Sequence, residues 1–138
     1  MIKERKDKGM VNTNAFDYIN VLDRGADASW LRHQAISNNL ANVDTPFYKR
    51  QDVEFRSVFQ RALGNSRYET MDAKVAKVNL NGLRGKVYTD YEKFSYRLDG
   101  NNVDPENENI YLAENQVVYQ GLMTSISQEF QNLQTVMK

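Results

Sequence analysis

The chain has 138 residues, with eighteen basic and eighteen acidic side chains, one histidine and no cysteine. One ordinary domain fits that length, and the balanced charge, with a pI near 6.6, argues against a nucleic-acid partner, which draws on a basic excess. The lack of cysteine excludes disulfides, thiolate metal sites and a cysteine nucleophile, and 41% hydrophobic residues with a mean hydropathy of −0.70 suit a seam between helices better than a thick core.

Residues 1–12 are expected to form a mobile tail. Their charged start, Met1-Ile2-Lys3-Glu4-Arg5-Lys6-Asp7-Lys8, is followed by no apolar stretch and does not read as a Sec-type signal peptide. No apolar run approaches the ~20 residues that a membrane helix needs. A first long helix is predicted over residues 13–45. Ala15, Ile19, Leu22, Ala26, Ser29, His33, Ile36 and Leu40 alternate in steps of four and three, the spacing of a helix–helix seam. Phe16 and Trp30 widen the stripe. Pro46 stops the helix near Asn42–Thr45, because the residue before a proline avoids helical geometry.

The middle segment, residues 46–104, is less regular. Phe55, Val58, Phe59, Ala62 and Leu63 predict a short amphipathic helix ended by Gly64-Asn65. Residues 66–85 hold no sustained period, and Asn81-Gly82 and Gly85 favour turns. Val87, Thr89 and Tyr91, then Phe94, Tyr96 and Leu98, alternate as short strands do, and Asp99-Gly100-Asn101-Asn102 reads as a turn. A last helix is predicted over residues 105–138. Asp104 suits its N-cap, Pro105 its first position, and Glu106 and Glu108 the positive end of its dipole. Leu112, Tyr119, Ile126 and Leu133 recur every seven residues, with Leu122, Met123, Phe130, Val136 and Met137 beside them, a coiled-coil signature.

No catalytic or metal-binding constellation emerges. His33 falls on a helix seam without an orienting partner, and Ser29, Ser37 and Ser57 lack a nucleophile elbow. A calcium loop starting at Asp99 puts Asp104 where glycine is required and Ile110 where glutamate is required. Gly82-Leu83-Arg84-Gly85 is too short for a phosphate loop. Lys49, Arg50, Arg56 and Arg61 are interleaved with Asp52 and Glu54 and read as a solvated helix face. Tyr88, Tyr91, Phe94 and Tyr96 lack the positive field that base stacking needs, so strand packing is expected. Neither a cofactor nor a small-molecule substrate is implied.

The segment Ser37, Asn38, Asn39, Leu40, Ala41, Asn42, Val43, Asp44, Thr45, Pro46, Phe47, Tyr48, Lys49 resembles the N-terminal signature of flagellar axial proteins, which runs close to S-N-N-[LI]-A-N-x-x-T-P-G-Y-K. Leu40 and Ala41 close the helix, Asn42 and Asp44 suit bonds to the freed backbone groups, Thr45-Pro46 holds an extended exit, and Tyr48 packs back. Phe47 departs from the family's usual glycine. If that position takes a positive φ, a phenylalanine is strained there. Arg97-Leu98-Asp99-Gly100-Asn101-Asn102-Val103-Asp104, followed by Asn115-Gln116 and Tyr119-Gln120, is similar to basal-body rod proteins of the proximal-rod (FlgB) type.

The resemblance implies a mainly α fold, with long terminal helices packed as an antiparallel coiled-coil-like pair around a small, β-containing middle. It implies a non-catalytic subunit in the rod of the bacterial flagellar basal body, exported through the flagellar type III apparatus without a cleaved signal peptide. The partners implied are other rod subunits and the membrane-ring and export-gate proteins at the rod base. The expected assembly seam comprises Ile19, Leu22, Ala26, Ile36, Leu112, Tyr119, Leu122, Ile126, Phe130 and Leu133, with the polar middle facing outward or ordering on assembly. A cytosolic coiled-coil adaptor or secretion chaperone explains the helices but leaves residues 38–49 idle. A small hydrolase using Asp99, Asp104 and Glu106 explains neither helix.

Overall fold

The absence of proline between Thr13 and Thr45 leaves the first apolar stripe free to run as one helix, and a computed structural model places α1 at Thr13–Ala41. The model describes residues 13–64, 67–91 and 97–138. The predicted tail, the Ala15 side chain, Asn65 and the strand positions Phe94 and Tyr96 lie outside the described residues. Beyond α1 come β1 (Gln51–Glu54), α2 (Arg56–Leu63), α3 (Met71–Ala76), β2 (Lys86–Thr89) and α4 (Pro105–Val136). As predicted, Asp104 caps α4, its carboxylate accepting from the N–H groups of Glu106 and Asn107, with Pro105 opening the first turn.

The two long helices are antiparallel. Ser29 lies against Asn115 at 3.0 Å, Asn39 against Glu108 at 3.1 Å, and Trp30 beside Tyr119. Ile19, Ala26 and Ile36 are buried between them. Leu22, Leu112, Tyr119, Leu122, Ile126 and Leu133 are partly buried. Phe130 remains half exposed and flanks this seam rather than filling it.

A second face of α1 is buried as well, which the heptad spacing does not show. Val21, Ala28 and Ala35 lie off the predicted stripe yet are all buried. Val21 packs with Val75 and Leu83, and Phe55, Val58, Phe59 and Leu63 cover that cluster. The predicted outward-facing middle therefore packs along α1. Gly85 makes the approach possible: a Cβ there would lie 2.9 Å from Val53 Cγ1 and 3.1 Å from Ala28 Cβ.

Three local expectations change. The strand at Lys86–Thr89 pairs antiparallel with Gln51–Glu54, with Gln51 opposite Thr89, so residues 51–54 form a strand where a solvated helix face was expected. Leu98 is fully exposed beside a turn. Residues 71–76 form α3, capped by Thr70, whose hydroxyl accepts from the Ala73 N–H. The helix ending at Gly64 forms as predicted.

Candidate functional site: a polar clasp and an outer helix face

The helix-end motif and the Arg97–Asp104 phrase, more than fifty residues apart, close on each other. α1 ends as the Asn42 N–H donates to the carbonyls of Asn38 and Asn39, while its side chain donates to the Asn38 carbonyl at 2.7 Å. The next turn runs from Thr45 to Tyr48, closed by the Tyr48 N–H on the Thr45 carbonyl. Pro46 occupies its second position, and Phe47 its third with φ 62°, the only positive φ at a non-glycine among the described residues. That arrangement fits a type II turn, whose third position favours glycine, so the strain expected at Phe47 is present.

Asn101 gathers the carbonyls around this helix end. Its buried amide donates to the carbonyls of Asn42, Val43 and Thr45 at 2.9–3.0 Å. The Phe47 N–H donates to the Asp99 carbonyl at 2.9 Å, the Lys49 ammonium to the Gly100 carbonyl at 2.6 Å, and the Arg50 N–H to the Asn102 side chain at 2.7 Å. Asp44, expected to bond to backbone, instead meets the Arg97 guanidinium at 3.3 Å.

Asn39 is the buried centre of the clasp. Its amide donates to the Gln51 carbonyl and to Glu108, and its oxygen accepts from the Gln51 N–H and the Tyr48 hydroxyl. Burial raises the Tyr48 pKa, and the neighbouring Glu108 charge adds to this. Of the other motif residues, Leu40, Asn42, Tyr48 and Lys49 are partly buried, whereas Ser37, Asn38, Ala41, Asp44, Thr45 and Pro46 are exposed.

Around this centre lies an ion-pair network. Arg50 binds Glu108, binds Asp52 at 2.8 Å, and lies 3.8 Å from Asp90. Arg32 binds Asp52 from the other side at 2.9 Å. The Tyr111 ring lies 5.0 Å from the Arg50 guanidinium carbon and 5.8 Å from that of Arg32, within cation–π reach. Burial pushes the Asp52 pKa up, but bonds from Arg32, Arg50 and the Val53 N–H outweigh it and hold the carboxyl below its ordinary value. Arg50 is held above its ordinary value: burial opposes this, and Asp52 and Glu108 outweigh it. Arg50 thus does not stand on a solvated helix face, as its neighbours in sequence suggest. Its side chain is 13% exposed and tied to both β1 and α4.

Among the described residues no buried side-chain nitrogen or oxygen lacks a partner, and no group of three His, Asp or Glu side chains is placed to hold a metal. The acids of the hydrolase reading do not converge: Asp99 takes the Asn101 N–H and the Arg97 guanidinium, Asp104 caps α4, and the Glu106 side chain is exposed. His33 stacks on Trp30, ring centres 5.7 Å apart. Arg50, Glu108 and Asn101 escape sequence reasoning, because each resembles a surface residue until the fold supplies its partner. The run of asparagines after Gly100 was the available signal, since such residues bond to backbone.

The helix pair also carries an open face. Phe16, Trp30, Met123 and Phe130 are each about half exposed, at 42–55%. Between Trp30 and Met123 lies a groove of about 420 Å³, lined by Asp23, Ala26, Asp27, Trp30, Tyr119 and Met123. No described helix is long and apolar enough to cross a membrane.

No family model matches the chain. It is similar to the flagellar basal body rod protein FlgB of Borrelia hermsii, at 34% identity over 129 residues, covering 87% of this chain and 95% of that protein. The flagellar basal body rod protein FlgB of Bacillus subtilis (strain 168) is 31% identical over 117 residues, covering 84% and 89% respectively. That of Escherichia coli (strain K12) is 25% identical over 114 residues, covering 78% and 83%.

Proposed function

The chain belongs to the FlgB family of flagellar basal body rod proteins, and on that premise we propose that it builds the rod by packing its α1–α4 pair against neighbouring subunits. The observation that carries this reading is the uneven burial of α4. Its described buried residues are Glu108 and Asn115 only, while Val117, Val118, Met123, Phe130, Val136 and Met137 remain exposed. Isolated exposed apolar residues are ordinary, but Met123, Phe130 and Met137, spaced seven apart, fall on one face, and such a row marks a packing surface. The clasp sets the angle at which the middle segment leaves that surface.

On this reading the subunit is one section of the drive shaft between the membrane ring with its export gate and the distal rod. It passes the type III apparatus as an unfolded chain, and its partners are other rod proteins and the components at the rod base. Electron microscopy of basal bodies from a strain lacking the gene tests this. Basal bodies without a rod, restored by the intact gene, are expected. Complete rods in the deletion strain, or a protein that stays in the cytosol and never co-purifies with basal bodies, would favour the adaptor or chaperone reading instead.

A further inference from the structure

The groove between α1 and α4 has a chemical bias that the apolar row alone does not. Its floor is Ala26, Trp30, Tyr119 and Met123, and its rim carries Asp23 and Asp27. Among the described residues neither carboxylate forms an ion pair or a side-chain hydrogen bond, whereas the acids of the clasp are paired. Asp27 also borders a separate groove, with Arg24, Arg84, Leu83 and Gly85. Phe16 precedes Trp30 by two heptads and Phe130 follows Met123 by one, so the same face continues along both helices. From Phe16 to Trp30 it spans about 21 Å, roughly four helical turns.

We infer that this groove receives an amphipathic helix from a different protein, one that presents large apolar side chains flanked by Lys or Arg. A second copy of the α1–α4 pair is a poor match. α1 and α4 together hold seven carboxylates, of which Glu108 is paired with Arg50, against two arginines, and α4 has no lysine or arginine. Of those arginines, Arg32 is already bound to Asp52. Two such acidic pairs repel, whereas a basic helix places opposite charge at the rim and apolar area on the floor. The inference deepens the rod-subunit reading by giving the chemistry of a neighbour.

Trp30 is the chain's only tryptophan, so its emission reports on the groove directly. The test titrates the intact protein with two synthetic amphipathic helices that share one leucine stripe, flanked by lysine in one and by glutamate in the other. The lysine helix should shift Trp30 emission to the blue saturably, and the glutamate helix should not. Asp23→Asn with Asp27→Asn should weaken the lysine helix about tenfold, and added salt should act in the same direction. Glu106→Gln with Glu114→Gln, on exposed acids away from the groove, should leave binding unchanged. Equal binding of both helices, equal loss in the two double variants, or a blue shift that grows with protein concentration alone would overturn the inference, the last by naming a second copy as the occupant. In cells, Asp23→Lys with Asp27→Lys should block incorporation into the rod. Normal rods in that strain, where the deletion has none, would remove the groove and leave the rod function standing.

Discussion

The two ends of the helix pair are held by different physics. At the clasped end, Ile36, Asn39 and Glu108 are almost fully buried, and every buried side-chain nitrogen and oxygen among the described residues there finds a partner. At the open end, α1 buries Ile19 and Val21, but α4 beyond Asn115 buries no residue. The first end is specified by directional bonds that fail if one partner is lost. The second relies on apolar contact that is half complete in a lone subunit. On the assembly proposed above, that division lets one end fix the subunit's shape and leaves the other for its neighbours.

The largest expected effect lies in the clasp. Glu108→Ala leaves the Arg50 guanidinium partly buried beside an empty space, and breaking a buried pair from one side costs about 3–5 kcal/mol. Urea unfolding should show the loss, and a cost below about 1 kcal/mol would mean that the network is ornamental. The open end should respond in the opposite way. Ile126→Asp with Leu133→Asp puts charge on a half-buried seam, so the dilute subunit should lose less stability than Glu108→Ala while incorporation into the rod fails. Hydrogen exchange on the dilute parent should likewise protect residues 105–115 more than residues 122–136. Normal motility in the double variant would remove the seam from assembly.

Acid should weaken the clasped end selectively. The Asp52 pKa is lower in the folded chain than its ordinary value of 3.8, so its contribution is fully present above that value and is lost as pH falls through the folded pKa. Stability followed below pH ~4 should fall more steeply in the parent than in Asp52→Asn; parallel curves would contradict the network. The smallest change is a gain. Phe47→Gly relieves a left-handed residue, a strain of about 1–2 kcal/mol, against a loss of about 0.5–1 kcal/mol from glycine's freedom in the unfolded chain. A small rise in the unfolding midpoint, with assembly intact, is expected. A marked fall would show that the Phe47 ring, which a Cβ at Gly100 would meet at 3.3 Å, contributes more than the strain costs.

Local rules wrote much of this molecule. Pro46, the Asp104-Pro105 start and the seven-residue recurrence of Leu112, Tyr119, Ile126 and Leu133 are short-range signals, and the helices they predict are present. The motif at residues 37–49 was equally legible, including the strain at Phe47, since a turn's backbone demand falls on one residue. Tertiary structure alone decided the rest. β1 carries no alternating apolar pattern, because its buried Asp52 is satisfied by arginines from elsewhere, and it is a strand only because Lys86–Thr89 pairs with it. Val21, Ala28 and Ala35 are core residues only because the middle segment, admitted by Gly85, covers a second face of α1. Glu108 reads as a helix-dipole acid and is a buried anchor, and Asn101 reads as a turn residue and ties three carbonyls of a distant helix end. Apolar periodicity is written along the chain, but a polar side chain's burial depends on a partner that only folding supplies.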